Sequence, residues 1–159
     1  MQKFWVDEKP HNNCLLVLPK AMYLEGGDRN LLVIQFSWQC RCSVPELLKL
    51  SWLYIKGRFH ANALSPKTMY EIAFVIKLRR SCTPWPLPVD LELHLPDGSK
   101  VISTESPAKK PKEEWIKLHI GKFATDAKNV GEIYSSLRET CQIDKSGLVL
   151  KGLRVDSKG

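Results

Sequence analysis

Between residues 68 and 78, large apolar side chains fall on every second position. Tyr70, Ile72, Phe74, Ile76 and Leu78 alternate with Glu71, Ala73, Val75 and Lys77. In an extended chain successive side chains point to opposite sides, so this run presents one continuous apolar face. Wound into a helix, the same five residues would not gather on one stripe. The run is therefore read as a strand. A strand with one fully apolar face needs hydrogen-bonded neighbours and a second layer to cover it.

The rest of the chain supplies those neighbours. Val89, Leu91, Leu93 and Leu95 alternate with Asp90, Glu92 and His94, and the run ends in Pro96-Asp97-Gly98-Ser99. Gly98 can take a positive φ there, and the chain resumes with Lys100-Val101-Ile102, which predicts a hairpin. Residues 115–120 place Ile116, Leu118 and Ile120 on one face and Trp115, Lys117 and His119 on the other. Residues 51–57, 132–139 and 148–155 read as further strands. Residues 43–48 carry Ser43 three positions before Glu46, with Pro45 between, which predicts a short helical turn. About eight strands with little helix predict an all-β chain, an antiparallel β-sandwich of jelly-roll-like form with at most short helical turns.

At 159 residues, 43% of them hydrophobic, the chain suits one domain with a real core and needs no disulfide or metal to hold it. The five cysteines form no framework, and Cys40 and Cys42 lack the second Cys/His pair of a zinc site. They are expected to be free structural thiols in a reducing compartment. The N-terminal residues form no secretory signal, and no apolar run reaches membrane-spanning length, so a cytoplasmic or nuclear setting is expected. A net charge of +7 favours anionic partners: nucleic acid, acidic membrane surfaces or acidic glycans. Lys109, Lys110 and Lys112, set between prolines, read as a solvated loop, and Arg79 and Arg80 likewise.

Enzymatic signatures are missing. The chain has no phosphate-binding glycine loop, no dinucleotide fingerprint, no zinc-protease helix and no nucleophile elbow. His11, His60, His94 and His119 stand apart from one another and read as surface or strand residues. No catalytic residue, cofactor or metal is expected.

Several segments together resemble the phloem protein 2 or Nictaba-like plant lectins. They are Trp52-Leu53-Tyr54-Ile55-Lys56-Gly57-Arg58-Phe59, the alternating run at 68–78, the Leu95–Lys100 hairpin, Glu114-Trp115-Ile116-Lys117-Leu118-His119-Ile120-Gly121-Lys122-Phe123, and Lys145-Ser146-Gly147-Leu148-Val149-Leu150-Lys151-Gly152. The resemblance sets residues 14–156 as the lectin domain, 1–13 as an N-terminal extension and 157–159 as a tail. It implies a non-catalytic β-sandwich that binds N-acetylglucosamine oligomers or N-glycan cores, as a homodimer, in cytosol, nucleus or phloem sap. The alternative it implies is an interaction protein that keeps the fold and binds protein or RNA instead.

The resemblance also points to a site. Sugar binding needs an aromatic face for the pyranose and a few polar groups for its hydroxyls. The matching positions are Glu25, then Gly26, Gly27, Asp28 and Arg29, which keep a turn, with Arg138 or its neighbour Glu139 where relatives have an acidic residue, and Asp144 and Lys145 near the closing strand. Relatives carry a tryptophan where Glu25 stands, tyrosine-tryptophan where Asn30-Leu31 stand, and another tryptophan at Asp144. These rings are therefore replaced, and Trp38 or the proline-flanked Trp85 is the candidate substitute. Trp52 and Trp115 lie within strand patterns and are expected to be structural.

Overall fold

The computed structural model describes residues 2–7, 11–27, 36–38, 45–47, 52–80, 85, 88–126, 131–140 and 146–158, with backbone alone at 26–27, 36–38 and 45–47. In chain order the strands are β1 (Gln2–Val6), β2 (Asn13–Val17), β3 (Tyr23–Gly27), β4 (Phe36–Trp38), β5 (Pro45–Leu47), β6 (Trp52–His60), β7 (Met69–Leu78), β8 (Val89–His94), β9 (Lys100–Glu105), β10 (Trp115–Ala124), β11 (Glu132–Glu139) and β12 (Leu148–Lys158). Short 3₁₀ turns at Pro19–Ala21, Ala61–Ala63 and Pro107–Lys109 are the only helical pieces among the described residues. None is long and apolar enough to cross a membrane.

The strands form two antiparallel sheets. In the seven-stranded sheet, β12 lies at the centre: it pairs along its length with β7, which pairs in turn with β10. Its other edge is shared, Leu153–Val155 facing β2 and Val149 facing Glu46 of β5. Beyond these lie β1 and β4. The five-stranded sheet runs β3-β6-β11-β8-β9.

The alternation at 68–78 does what its period requires. Tyr70, Ile72, Phe74, Ile76 and Leu78 are all fully buried in the main core cluster. Facing them from the other sheet are Leu53, Ile55 and Phe59 of β6, Leu91 and Leu93 of β8, and Ile133 and Leu137 of β11. Tyr70 also ties loops to the core, since its hydroxyl donates to the Asn13 carbonyl at 2.7 Å and accepts from the Ser65 N–H at 2.8 Å. Trp85 is 2% exposed, so it is a core residue and offers no free ring. The expected hairpin forms between β8 and β9, with φ +89° at Gly98.

One expectation about local structure changes. The helical turn expected at 43–48 is not what forms at Pro45–Leu47: these residues are strand β5, paired with β4 and, through Glu46, with β12. Sheet pairing there outweighs the local capping preference. Near the chain ends, Gln2–Val6 forms β1 against β2, and β12 runs on through Ser157 to Lys158 beside Tyr70 and Met69. Ser157 donates a hydrogen bond to Asp7, which ties the two ends of the domain together. Trp52 is half-buried, and Trp115 is 39% exposed on the outward side of β10.

Candidate functional site

The outer face of the five-stranded sheet collects aromatic rings and cations. On β6 the inward residues Leu53, Ile55 and Phe59 enter the core, so the period of two turns Trp52, Tyr54, Lys56 and Arg58 outward. Antiparallel pairing then sets Tyr23 beside Lys56 and Glu25 beside Tyr54 on one flank. On the other flank it sets Tyr134 beside Arg58 and Arg138 beside Tyr54. One strand further on, His94 stands opposite Tyr134.

These neighbours touch. Tyr23 and Tyr54 meet edge to face with centroids 6.1 Å apart. The Arg138 guanidinium lies 5.1 Å from the Tyr54 centroid, and the Lys56 ammonium 4.0 Å from that of Tyr134. His94 stacks on Tyr134 at 4.3 Å with the planes 10° apart. Cross-strand aromatic pairs and cation–π contacts of this kind are worth about 0.5–1.5 kcal/mol each, enough to fix ring orientation before any ligand arrives.

Where β3 meets β6, the face opens into a groove of about 480 Å³ lined by Lys20, Ala21, Met22, Tyr23, Tyr54, Lys56 and Arg58. That volume lies within the range of small-ligand sites, about 300–1,000 Å³. The 3₁₀ turn at Pro19–Ala21 forms one wall, started by Pro19 and closed by the Met22 N–H donating to the Pro19 carbonyl. Tyr23 is 53% exposed and donates to the Glu25 carboxylate at 2.7 Å. That hydrogen bond is the main cause, with burial and the Glu25 charge behind it, that raises the Tyr23 hydroxyl above its usual pKa. The phenol stays neutral and remains a donor. The groove thus combines ring faces and edges, the Lys56 ammonium and Arg58 guanidinium as donors, and an oriented phenol–carboxylate pair. Ring surfaces beside oriented donors are the features that sites for polyhydroxylated ligands use in general. Among the described residues, no three His, Cys, Asp or Glu side chains are placed to hold a metal ion.

The site residues expected from the sequence fall into separate groups. Glu25, Gly26 and Gly27 lie on β3, so the strand continues through both glycines where a turn was expected. Gly26 pairs with Leu53, and Leu53 on its other side with Glu139, so these three share one row of the sheet. Glu139 is on the inward face and only 1% exposed. Trp38 belongs to β4, in the seven-stranded sheet, and so stands apart from Glu25. Asp28, Arg29, Asp144 and Lys145 lie outside the described residues.

Among the described residues of the expected set, Glu25 alone joins the aromatic face directly, through Tyr23. Tyr23, Tyr54, Lys56, Arg58 and Tyr134 are not among the residues expected there, His94 is expected only as a surface or strand residue, and Arg138 only as the alternative to Glu139. A signal for part of them was present. Once Leu53, Ile55 and Phe59 are taken as the buried register of β6, Trp52, Tyr54, Lys56 and Arg58 must share the opposite face.

"Protein PHLOEM PROTEIN 2-LIKE A1" of Arabidopsis thaliana is 30% identical over 171 residues, an alignment that takes in 98% of this chain and 66% of that protein. The chain thus spans just under two thirds of that relative's length. A lectin of Luffa acutangula is 29% identical, covering 99% of this chain and 77% of its own. Solved structures are remote. A carbohydrate-binding module of the β-sandwich superfamily overlays with a TM-score of 0.49 at 8% identity, covering 94% of this chain and 74% of that one. A Fischerella cyclase gives 0.44 at 13% identity, covering 98% and 88%. Overlays this loose say nothing of activity. The family model for phloem protein 2 matches residues 12–157, almost the whole two-sheet domain, and the chain belongs to the phloem protein 2 family.

Proposed function

We propose that this domain is a non-catalytic lectin whose glycan site is the groove between β3 and β6. The observation that carries the reading is the convergence of Tyr23, Tyr54, Lys56 and Arg58 on a cleft of about 480 Å³. The lectin names of the Luffa and Coccinia relatives support it. N-acetylglucosamine oligomers and N-glycan cores suit the chemistry. Ala21 offers an apolar contact to an acetamido methyl, while Lys56 and Arg58 donate to carbonyl and hydroxyl oxygens. Tyr54 and Tyr23 replace, on the strands, the rings that relatives carry near Glu25.

Calorimetric titration with chitotriose tests the reading. Tyr54→Ala removes a ring whose stacking on a base would be worth about 1–3 kcal/mol, and a sugar is expected to lose a similar amount. That is a weakening of about five- to hundred-fold. Absence of heat at millimolar chitotriose for the unaltered protein, together with no hit on a glycan array, sinks the proposal. Undiminished binding by Tyr54→Ala moves the site elsewhere.

A further inference from the structure

The opposite side of the molecule carries a surface of another kind. On the outer face of the seven-stranded sheet, β10 presents Trp115, Lys117 and Lys122, β7 presents Lys77 and Glu71, and β12 presents Lys151, Arg154, Asp156 and Lys158. Six cations against two carboxylates leave +4 on three adjacent strands, of a net +7 for the chain. The carboxylates are already engaged: Asp156 with Lys117 at 3.6 Å and Arg154 at 2.7 Å, Glu71 with Lys158 at 3.1 Å and His119 at 2.8 Å.

Beneath the cations lies an apolar floor separate from the main core. Val75, Ala73, Val149 and Leu16 also face outward, yet they are between 2% and 8% exposed. Their register partners are long basic side chains: Lys117 stands opposite Val75, Arg154 opposite Ala73 and Leu16, and Lys77 opposite Val149. Methylene stems laid over such a floor, with charged heads held above it, form the arrangement in which lysine and arginine meet a lipid headgroup layer. Trp115 sits in this canopy, 39% exposed, with the Lys77 and Lys151 ammoniums 4.4 and 5.3 Å from its ring centroid. An indole beside lysines is well suited to the boundary between headgroups and acyl chains.

We infer that this face docks the domain peripherally onto an anionic phospholipid surface. The site is distinct from the glycan groove, which lies on the other sheet, so either function can fail without the other. Sedimentation with phosphatidylcholine vesicles containing about one third phosphatidylserine tests it, since each basic residue at such a surface strengthens binding about five-fold. The expected result is partitioning onto these vesicles, little onto pure phosphatidylcholine, and release in high salt. Lys77→Gln with Lys151→Gln is expected to lower partitioning about twenty-five-fold. The same pair should leave chitotriose binding and the unfolding midpoint unchanged. Lys56→Gln with Arg58→Gln, on the opposite face, is expected to leave vesicle binding unaltered. Should the first pair misfold, Lys122→Gln on the same face is expected to lower partitioning about five-fold. Equal binding to neutral vesicles, indifference to the Lys77 and Lys151 substitutions, or equal sensitivity to the Lys56 and Arg58 pair overturns the inference. So does displacement from vesicles by single-stranded RNA that binds the same face more tightly.

Discussion

Gly152→Ala should be among the most disruptive one-carbon changes in this domain. Gly152 sits just past a bulge in β12, where the register steps from Leu150 opposite Ile76 to Gly152 opposite Val75. Its φ is +152°, and a Cβ built on it would lie 2.4 Å from the Val17 carbonyl oxygen and 3.0 Å from Leu16 Cδ1. The oxygen belongs to the backbone of β2, so no rotamer change can make room. Either β2 withdraws, loosening the Leu153–Val17 pairing beside it, or β12 shifts away from β7. Backbone strain of about 1–3 kcal/mol for a non-glycine residue adds to an overpacking cost of about 1–3 kcal/mol, together about 2–6 kcal/mol. Against the roughly 5–15 kcal/mol of an ordinary domain that is a large fraction. It corresponds to a fall in melting temperature of about 4–24 °C for a chain of this size. Gly98→Ala is the control: its φ is +89°, but nothing lies within 4 Å of the added carbon, so it bears the strain alone. Urea unfolding of both variants, with equal m-values, separates the two contributions. If Gly152→Ala is no less stable than Gly98→Ala, the reasoning from close strand approach is refuted.

Other consequences are as definite. Tyr70→Phe strands the Ser65 N–H and the Asn13 carbonyl, and should cost about 1–3 kcal/mol by chemical denaturation. Burial is the first influence on Glu71 and pulls its pKa up. The hydrogen bond from Lys158 and the charges of His119, Lys158 and Lys122 outweigh it, holding the carboxyl below the ordinary 4.5. A carboxylate so depressed stabilises the fold above its unfolded pKa and loses that contribution as pH falls through the folded value. Glu71→Gln should therefore flatten the decline in stability on acidification below about pH 4.5, read from urea midpoints against pH. Burial, the largest influence, raises the Cys14 thiol above its usual pKa, with Asp7 adding to the effect. Cys14 should thus stay unmodified by a thiol reagent at pH about 8 in the folded protein and react at the rate of unfolding. Rapid labelling under native conditions, resolved by mass spectrometry, would contradict this.

The sheets were legible from the chain because burial imposes a period that residues cannot hide. Tyr70, Ile72, Phe74, Ile76 and Leu78 have to face one way, and every one is at 0% exposure. The helical turn at 43–48 went the other way for a reason no local pattern contains. Glu46 finds its partner at Val149, more than a hundred residues along the chain. The same non-locality hid most of the candidate site. Tyr23, Tyr54 and Arg138 become neighbours only because β3 and β11 flank β6 in a register fixed by their buried faces. Seen singly, each is an outward residue of its own strand. The resemblance drew attention to Glu25–Arg29, where relatives carry rings, and away from the strand beside it. Yet a sugar needs an apolar ring and oriented donors in one place, wherever the backbone supplies them. Losing rings around Glu25 therefore removes the site only if none stands within reach, and Tyr23 is two residues away with its hydroxyl on the Glu25 carboxylate. Recognition in this chain is best sought on the strand face next to the expected loop, where the pleat has already lined up what a glycan requires.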